Sequence, residues 1–167
     1  MGQNTGSSSL STLFTPVVLN ELHDQLGHSL NDIFGIMFYY PLTPQAETAP
    51  QAGGLKAHVR LKHRDIIAYL EVQLSDIIVD DLVHKATEAY GTLDFSIGQD
   101  VACEVANIIS HSIRTYLLNT QGITLIVGTP VIGQAPTQNQ DQGTLTIQSS
   151  SQSNGTVTLR LLYPNAA

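Results

Sequence analysis

The 167-residue chain is 42% hydrophobic and carries seven Lys and Arg against 14 Asp and Glu, for a formal net charge of −7. That length and composition support one domain with a real core rather than two. The negative charge argues against a nucleic-acid partner, whose phosphates it would repel. No apolar run reaches the roughly 18 to 20 residues that cross a bilayer, and the first residues lack the pattern of a signal peptide, so no membrane contact and a cytoplasmic location are expected. Cys103 is the single cysteine, which excludes an internal disulfide.

Residues 1–12 are small and polar and read as a disordered lead-in. From Pro16 to about Phe34, Val18, Leu19, Leu22, Leu26, Leu30, Ile33 and Phe34 recur at threes and fours, which predicts an amphipathic helix with Thr15 as cap and Pro16 in its first turn. The short apolar run Gly35 to Tyr40 reads as a strand, and the Pro, Ala and Gly-rich stretch from Pro41 to Gly54 as a surface loop. Leu55 to Lys62 alternates strictly, with Leu55, Ala57, Val59 and Leu61 on one face and Lys56, His58, Arg60 and Lys62 on the other. Ile66 to Leu74 returns as its hairpin partner across Arg64 and Asp65. Lys56, Arg60, Lys62 and Arg64 are four of the seven basic residues. Two readings stand: a patch that receives an acidic partner, or a solvated strand face or charged edge that discourages unwanted pairing.

Ser75 or Asp76 caps a second helix to about Tyr90, closed by Gly91. Ser96-Ile-Gly-Gln99 has the form of a capping box, starting a longer helix near Ile97 that Gly122 ends. Ile123 to Val127 is β-branched and reads as a strand, interrupted by Gly128-Thr-Pro130 and extended by Val131-Ile132. After a polar loop over 133–143, Thr144 to Gln148 and Thr156 to Tyr163 alternate around the turn signal Asn154-Gly155. Three helices on about six mostly antiparallel strands, an α+β architecture, is the expectation.

The long helix carries the chemistry. Asp100, Glu104 and Asn107 are i, i+4 and i+7, so they fall within about 60° of arc, and His111 continues the stripe. Val101, Val105, Ile108, Ile109, Ile113 and Tyr116 form the opposite, anchoring face. Cys103 lies beside the stripe with no cationic neighbour on the helix, which points to an inert, partly buried thiol. An ordinary polar helix face accounts for Asp100 and Glu104. It accounts less well for Asn107, a poor helix former. Elsewhere the sequence shows no HExxH, no Cys/His pairing, no dense acidic loop, no phosphate-binding glycine loop and no GxSxG elbow, so no intrinsic metal is expected.

Asp100-x3-Glu104-x2-Asn107, followed after 22 residues by Pro130, resembles the motif of the CheC/CheX/FliY family of bacterial chemotaxis phosphatases. The order of elements from about residue 16 to 163 resembles that family too. One intact copy looks more like CheX than like CheC, whose members can carry two. In the first helix, Asp24-x3-His28-x2-Asn31 keeps the frame with His in place of Glu and no Pro after 22 residues, a worn trace of duplication or a chance match.

The resemblance implies a single CheX-like domain over 13–167 with the CheC-like fold, two long helices and a shorter one packed on the sheet. It implies a phosphatase that hydrolyses the aspartyl phosphate of a CheY-type response regulator. Asn107 would orient the attacking water, and Glu104 would pair with the regulator's lysine. Asp100, His111 and Arg114 would add partner contacts, although Asp100 could equally serve the helix dipole, and Pro130 would shape the neighbouring strand. No intrinsic cofactor is implied, since the regulator supplies Mg2+. Homodimerisation through the sheet is implied as well. The alternative is a non-catalytic module of the same fold that docks a receiver domain or a flagellar switch component.

Overall fold

The Thr15 hydroxyl opens the first helix by accepting a hydrogen bond from the Val18 amide at 3.3 Å, and Pro16 follows where a missing N–H costs nothing. The computed structural model describes residues 13–46, 53–92, 94, 96–137 and 142–164; the lead-in expected at 1–12 lies outside them. In chain order come α1 (Pro16–Asp32), β1 (Thr43–Gln45), β2 (Leu55–His63), β3 (Ile66–Leu74), α2 (Asp76–Tyr90), α3 (Ile97–Gln121), β4 (Ile126–Val127), β5 (Val131–Ile132), β6 (Gln142–Ser150) and β7 (Thr156–Pro164).

All strand pairs are antiparallel, in the order β1-β6-β7-β3-β2-β4, with β5 also on β2. The alternation of β2 places Ala57, Val59 and Leu61 in the core with Leu70, Val72 and Leu74 of β3 and Val157, Leu159 and Leu161 of β7. The helices cover that face. α3 buries Val101, Val105, Ile109, Ile113 and Leu117, whereas Ile108 and Tyr116 are only partly buried. Gly98 lets α3 approach α2, since a Cβ there would stand 2.8 Å from a Val79 methyl. None of the helices among the described residues is long and apolar enough to cross a membrane.

Several expectations give way. Gly35 to Tyr40 is not a strand: Ile33–Met37 form a π-helical turn that prolongs α1. Burial of Phe34 drives this, because its ring packs against Phe38 at 5.4 Å and Tyr40 at 6.5 Å, and the Tyr40 amide bonds back to the Phe34 carbonyl at 2.8 Å. The surface loop instead contains β1, whose Thr43, Pro44 and Gln45 pair with Ser150, Ser149 and Gln148. Ser96 is no capping box, since its backbone is already helical and makes no side-chain cap; its amide and hydroxyl both donate to Asp94 Oδ1. Ser75 sits at the α2 cap position, yet its hydroxyl accepts from the Thr156 amide at 2.9 Å, tying the helix start to β7. The strand expected from Ile123 is confined to Ile126 and Val127.

The other sheet face is polar. There Glu71 is 1% exposed and held by the Arg160 guanidinium, by Lys56 at 3.8 Å and by the Ala135 amide at 2.8 Å. A buried carboxylate needs such partners to stay charged.

Candidate functional site

The polar stripe of α3 faces a break in the neighbouring sheet edge. β4 pairs Val127 with Leu61 while β5 pairs Ile132 with Ala57, so the edge strand holds one residue more than β2 between those points. This is a β-bulge, the device by which an edge is bent and its side chains re-aimed. Gly128 begins it, donating its amide to the Arg60 carbonyl at 2.8 Å, where a Cβ would sit 3.2 Å from that same oxygen. The ladder resumes at Val131, opposite His58, and beyond β5 Gly133 donates its amide to the Lys56 carbonyl, also at 2.8 Å. Thr129 and Pro130 leave the ladder between Gly128 and Val131, and Pro130 has no N–H to forfeit.

The result is an open depression of about 510 Å³ lined by Asp100, Cys103, Glu104 and Asn107 from α3 and by Val127, Gly128, Thr129 and Pro130 from the bulged edge. Residues far apart in sequence thus share one surface. His111 and Arg114 are exposed further along α3 and do not line it. Thr129 is a lining residue that the sequence reading passed over, although the Gly-Thr-Pro break was its visible signal.

Asp100 and Glu104 are exposed and Asn107 is half-buried, and their side chains make no hydrogen bond or ion pair with any described residue. An unengaged amide on a packed helix is free to act on something that arrives, as both donor and acceptor. Burial, and then the nearby Asp100 charge, push the Cys103 thiol above its ordinary pKa, so this partly buried sulfur is a poor nucleophile at neutral pH. Among the described residues, no group of three or more His, Cys, Asp and Glu is arranged to hold a metal ion.

At the opposite sheet edge α1 lines a second depression, of about 290 Å³, with Asp24, His28 and Asn31 beside Pro44 of β1. The frame in α1 therefore has a spatial counterpart of Pro130, reached after 12 residues rather than 22. This depression differs in two ways. His28 stands in the place of the carboxylate, and the Asn31 amide oxygen is occupied, accepting from the Ser149 hydroxyl at 3.1 Å.

No family model matches the sequence, and no curated protein matches it. Solved structures do match. Chemotaxis protein CheX from Vibrio vulnificus gives a TM-score of 0.67 at 15% identity, covering 86% of this chain and 96% of that one. The CheX-CheY-BeF3-Mg2+ complex from Borrelia burgdorferi gives 0.61 at 12% identity, over 88% of this chain and 98% of that one. The FliM middle domain from H. pylori gives 0.59 at 9% identity, over 90% and 94%. The fold is that of the CheC-like chemotaxis proteins, α+β with helices on an antiparallel sheet. Chemotaxis protein CheX from Desulfovibrio desulfuricans shares that fold too, with a TM-score of 0.66 at 17% identity over 86% of this chain and 99% of that one.

Proposed function

We propose that the chain is a phosphatase for the aspartyl phosphate of a CheY-type response regulator, with Asn107 as the catalytic residue. The observation that carries this reading is the shared depression, in which a free Asn107 amide and the Glu104 carboxylate stand beside Pro130 on an otherwise packed helix. The CheX neighbour solved together with CheY, BeF3 and Mg2+ supports the choice of partner.

In this reading Glu104 pairs with a lysine of the receiver domain and sets the docking. Asn107 then reaches the phosphoryl group and holds a water in line with it. Water oxygen bonds to phosphorus as the bond to the aspartyl oxygen breaks; the aspartate leaves as carboxylate, and the water's proton goes to inorganic phosphate. Phosphoryl transfer depends mostly on positioning and charge stabilisation, so an amide that is not itself a strong base suffices. No covalent intermediate forms on this chain. Mg2+ arrives with the regulator and neutralises phosphoryl charge. Asp100, His111 and Arg114 extend the docking surface, the location is cytoplasmic, and two copies pair through the sheet.

The FliM likeness favours a second reading, a module of this fold that binds a receiver domain or a flagellar switch component without hydrolysis. One assay separates the two. Phosphate loss from a Mg2+-loaded phospho-receiver accelerates on adding the protein if the chain is a phosphatase. An unchanged phosphate lifetime alongside measurable binding would establish the docking module instead.

A further inference from the structure

The basic face of β2 has no part in the site just described. Keeping a sheet edge from pairing does not explain it, because β2 is an interior strand, bounded by β3 on one side and by β4 and β5 on the other. Nor do carboxylates among the described residues balance it. The register places Ile67, Tyr69, Glu71 and Gln73 of β3 on this face, and Glu71 is buried and already neutralised by Arg160 and Lys56.

The chain from Gly133 to Ala135 crosses the face at the level of His58 and Glu71, through His58 Nδ1 to the Gly133 carbonyl at 3.1 Å and the Ala135 amide to Glu71. Arg60 and Lys62 lie to one side of that crossing, and neither side chain makes a hydrogen bond or ion pair with a described residue. Ile126 is register partner of Lys62 and Val131 of His58, so both share this face, and they are 66% and 51% exposed. Two cations whose side chains have no partner among the described residues thus stand between two exposed branched side chains, on a molecule whose net charge is −7.

We propose that this surface, Arg60 and Lys62 between Ile126 and Val131, docks an acidic protein segment whose carboxylates are interspersed with apolar residues. Charge complementarity selects the acidic partner, and the flanking Ile126 and Val131 select the apolar positions. The net negative charge disfavours anionic lipid and nucleic acid, and two apolar side chains are too few for membrane insertion.

The test is fluorescence anisotropy with a short labelled peptide alternating Glu and Leu. Binding is expected at low ionic strength, weakening as salt shortens the Debye length from about 30 Å at 0.01 M to about 10 Å at 0.1 M. Arg60→Glu with Lys62→Glu should reduce affinity at least about tenfold, Ile126→Ser should reduce it less, and Asn107→Ala should leave it unchanged. Arg60→Gln, milder, should give an intermediate loss with an unaltered circular dichroism spectrum. The proposal is overturned if the peptide fails to bind at low salt, if the charge-reversed variant binds equally well, or if phosphatidylglycerol vesicles bind and the peptide does not. The result is independent of the phosphatase reading, which is scored separately by phosphate lifetime.

Discussion

Replacing Asn107 by Ala separates chemistry from folding more cleanly than any other single change. The Asn107 side chain bonds to nothing described, and the Ser110 hydroxyl bonds to its backbone carbonyl, which alanine retains. No partner is orphaned, so no desolvation penalty arises. Alanine is the better helix former by roughly 0.6 kcal/mol, and in a chain of this size 1 kcal/mol moves Tm by about 2–4 °C. Tm should therefore rise by about 1–2 °C. Activity should move the other way. Removing one group that positions charge or nucleophile costs about 10² to 10³ in rate, near 3–4 kcal/mol of barrier. The assay is phosphate release from a Mg2+-bound phospho-receiver, with a calorimetric scan of the same samples. Full acceleration by the variant would refute the role given to Asn107. Loss of acceleration together with several degrees of Tm would show instead that Asn107 supports the fold.

Four further outcomes follow from other parts of the molecule. Glu71→Ala leaves Arg160 and Lys56 facing an empty buried position and should cost about 3 kcal/mol or more in urea unfolding; a loss under about 1 kcal/mol would contradict the buried network. Gly54→Ala places a Cβ 2.3 Å from the Leu74 carbonyl oxygen at a φ of +81°, and should destabilise by at least about 2 kcal/mol. Hydrogen bonds from Ser153 and then Tyr40 hold the Asp81 carboxyl below its ordinary value of 3.8. That contribution is complete above about pH 4 and is lost as pH falls through the lowered value, so Asp81→Asn should flatten the fall of Tm below about pH 4. An unchanged slope would exclude Asp81. In an Asn107→Ala background, His28→Glu should restore no phosphatase activity, because Ser149 still occupies the Asn31 amide; activity from that change alone would disprove the account of α1.

Long periodic segments were legible in the chain because their burial pattern repeats enough times to be unambiguous. The core positions of β2 alternate with its basic ones from Lys56 to Lys62, and the helical stripes of α1 and α3 run for several turns. Short runs carry no such redundancy. Gly35 to Tyr40 is apolar enough for a strand, and only the packing of Phe34 against Phe38 and Tyr40 decides for a π-helical turn. β1 has a proline at its centre, which argues against a strand until β6 offers an edge to pair with. In the site, the Asp100, Glu104 and Asn107 stripe follows from helical spacing, and the sequence resemblance singled out Pro130. The bulge that brings Pro130 to the stripe does not, since it arises from a register difference between two two-residue strands. Pro44 escaped for a related reason: a motif defined by fixed spacing cannot find a counterpart reached by a shorter connection.

The strand order has a consequence for how the protein comes into being. Each half of the chain lends its helix and its short edge strands to the other: α1 and β1 lie against β6, while α3, β4 and β5 lie against β2. Cut between α2 and α3, neither fragment could bury its own apolar faces, yet the two together would complete one core. During synthesis α1 must wait for β6, more than a hundred residues later, before it has a sheet to cover. Such non-local closure slows folding, and until the last hairpin emerges the apolar stripe of α1 has no sheet to cover it.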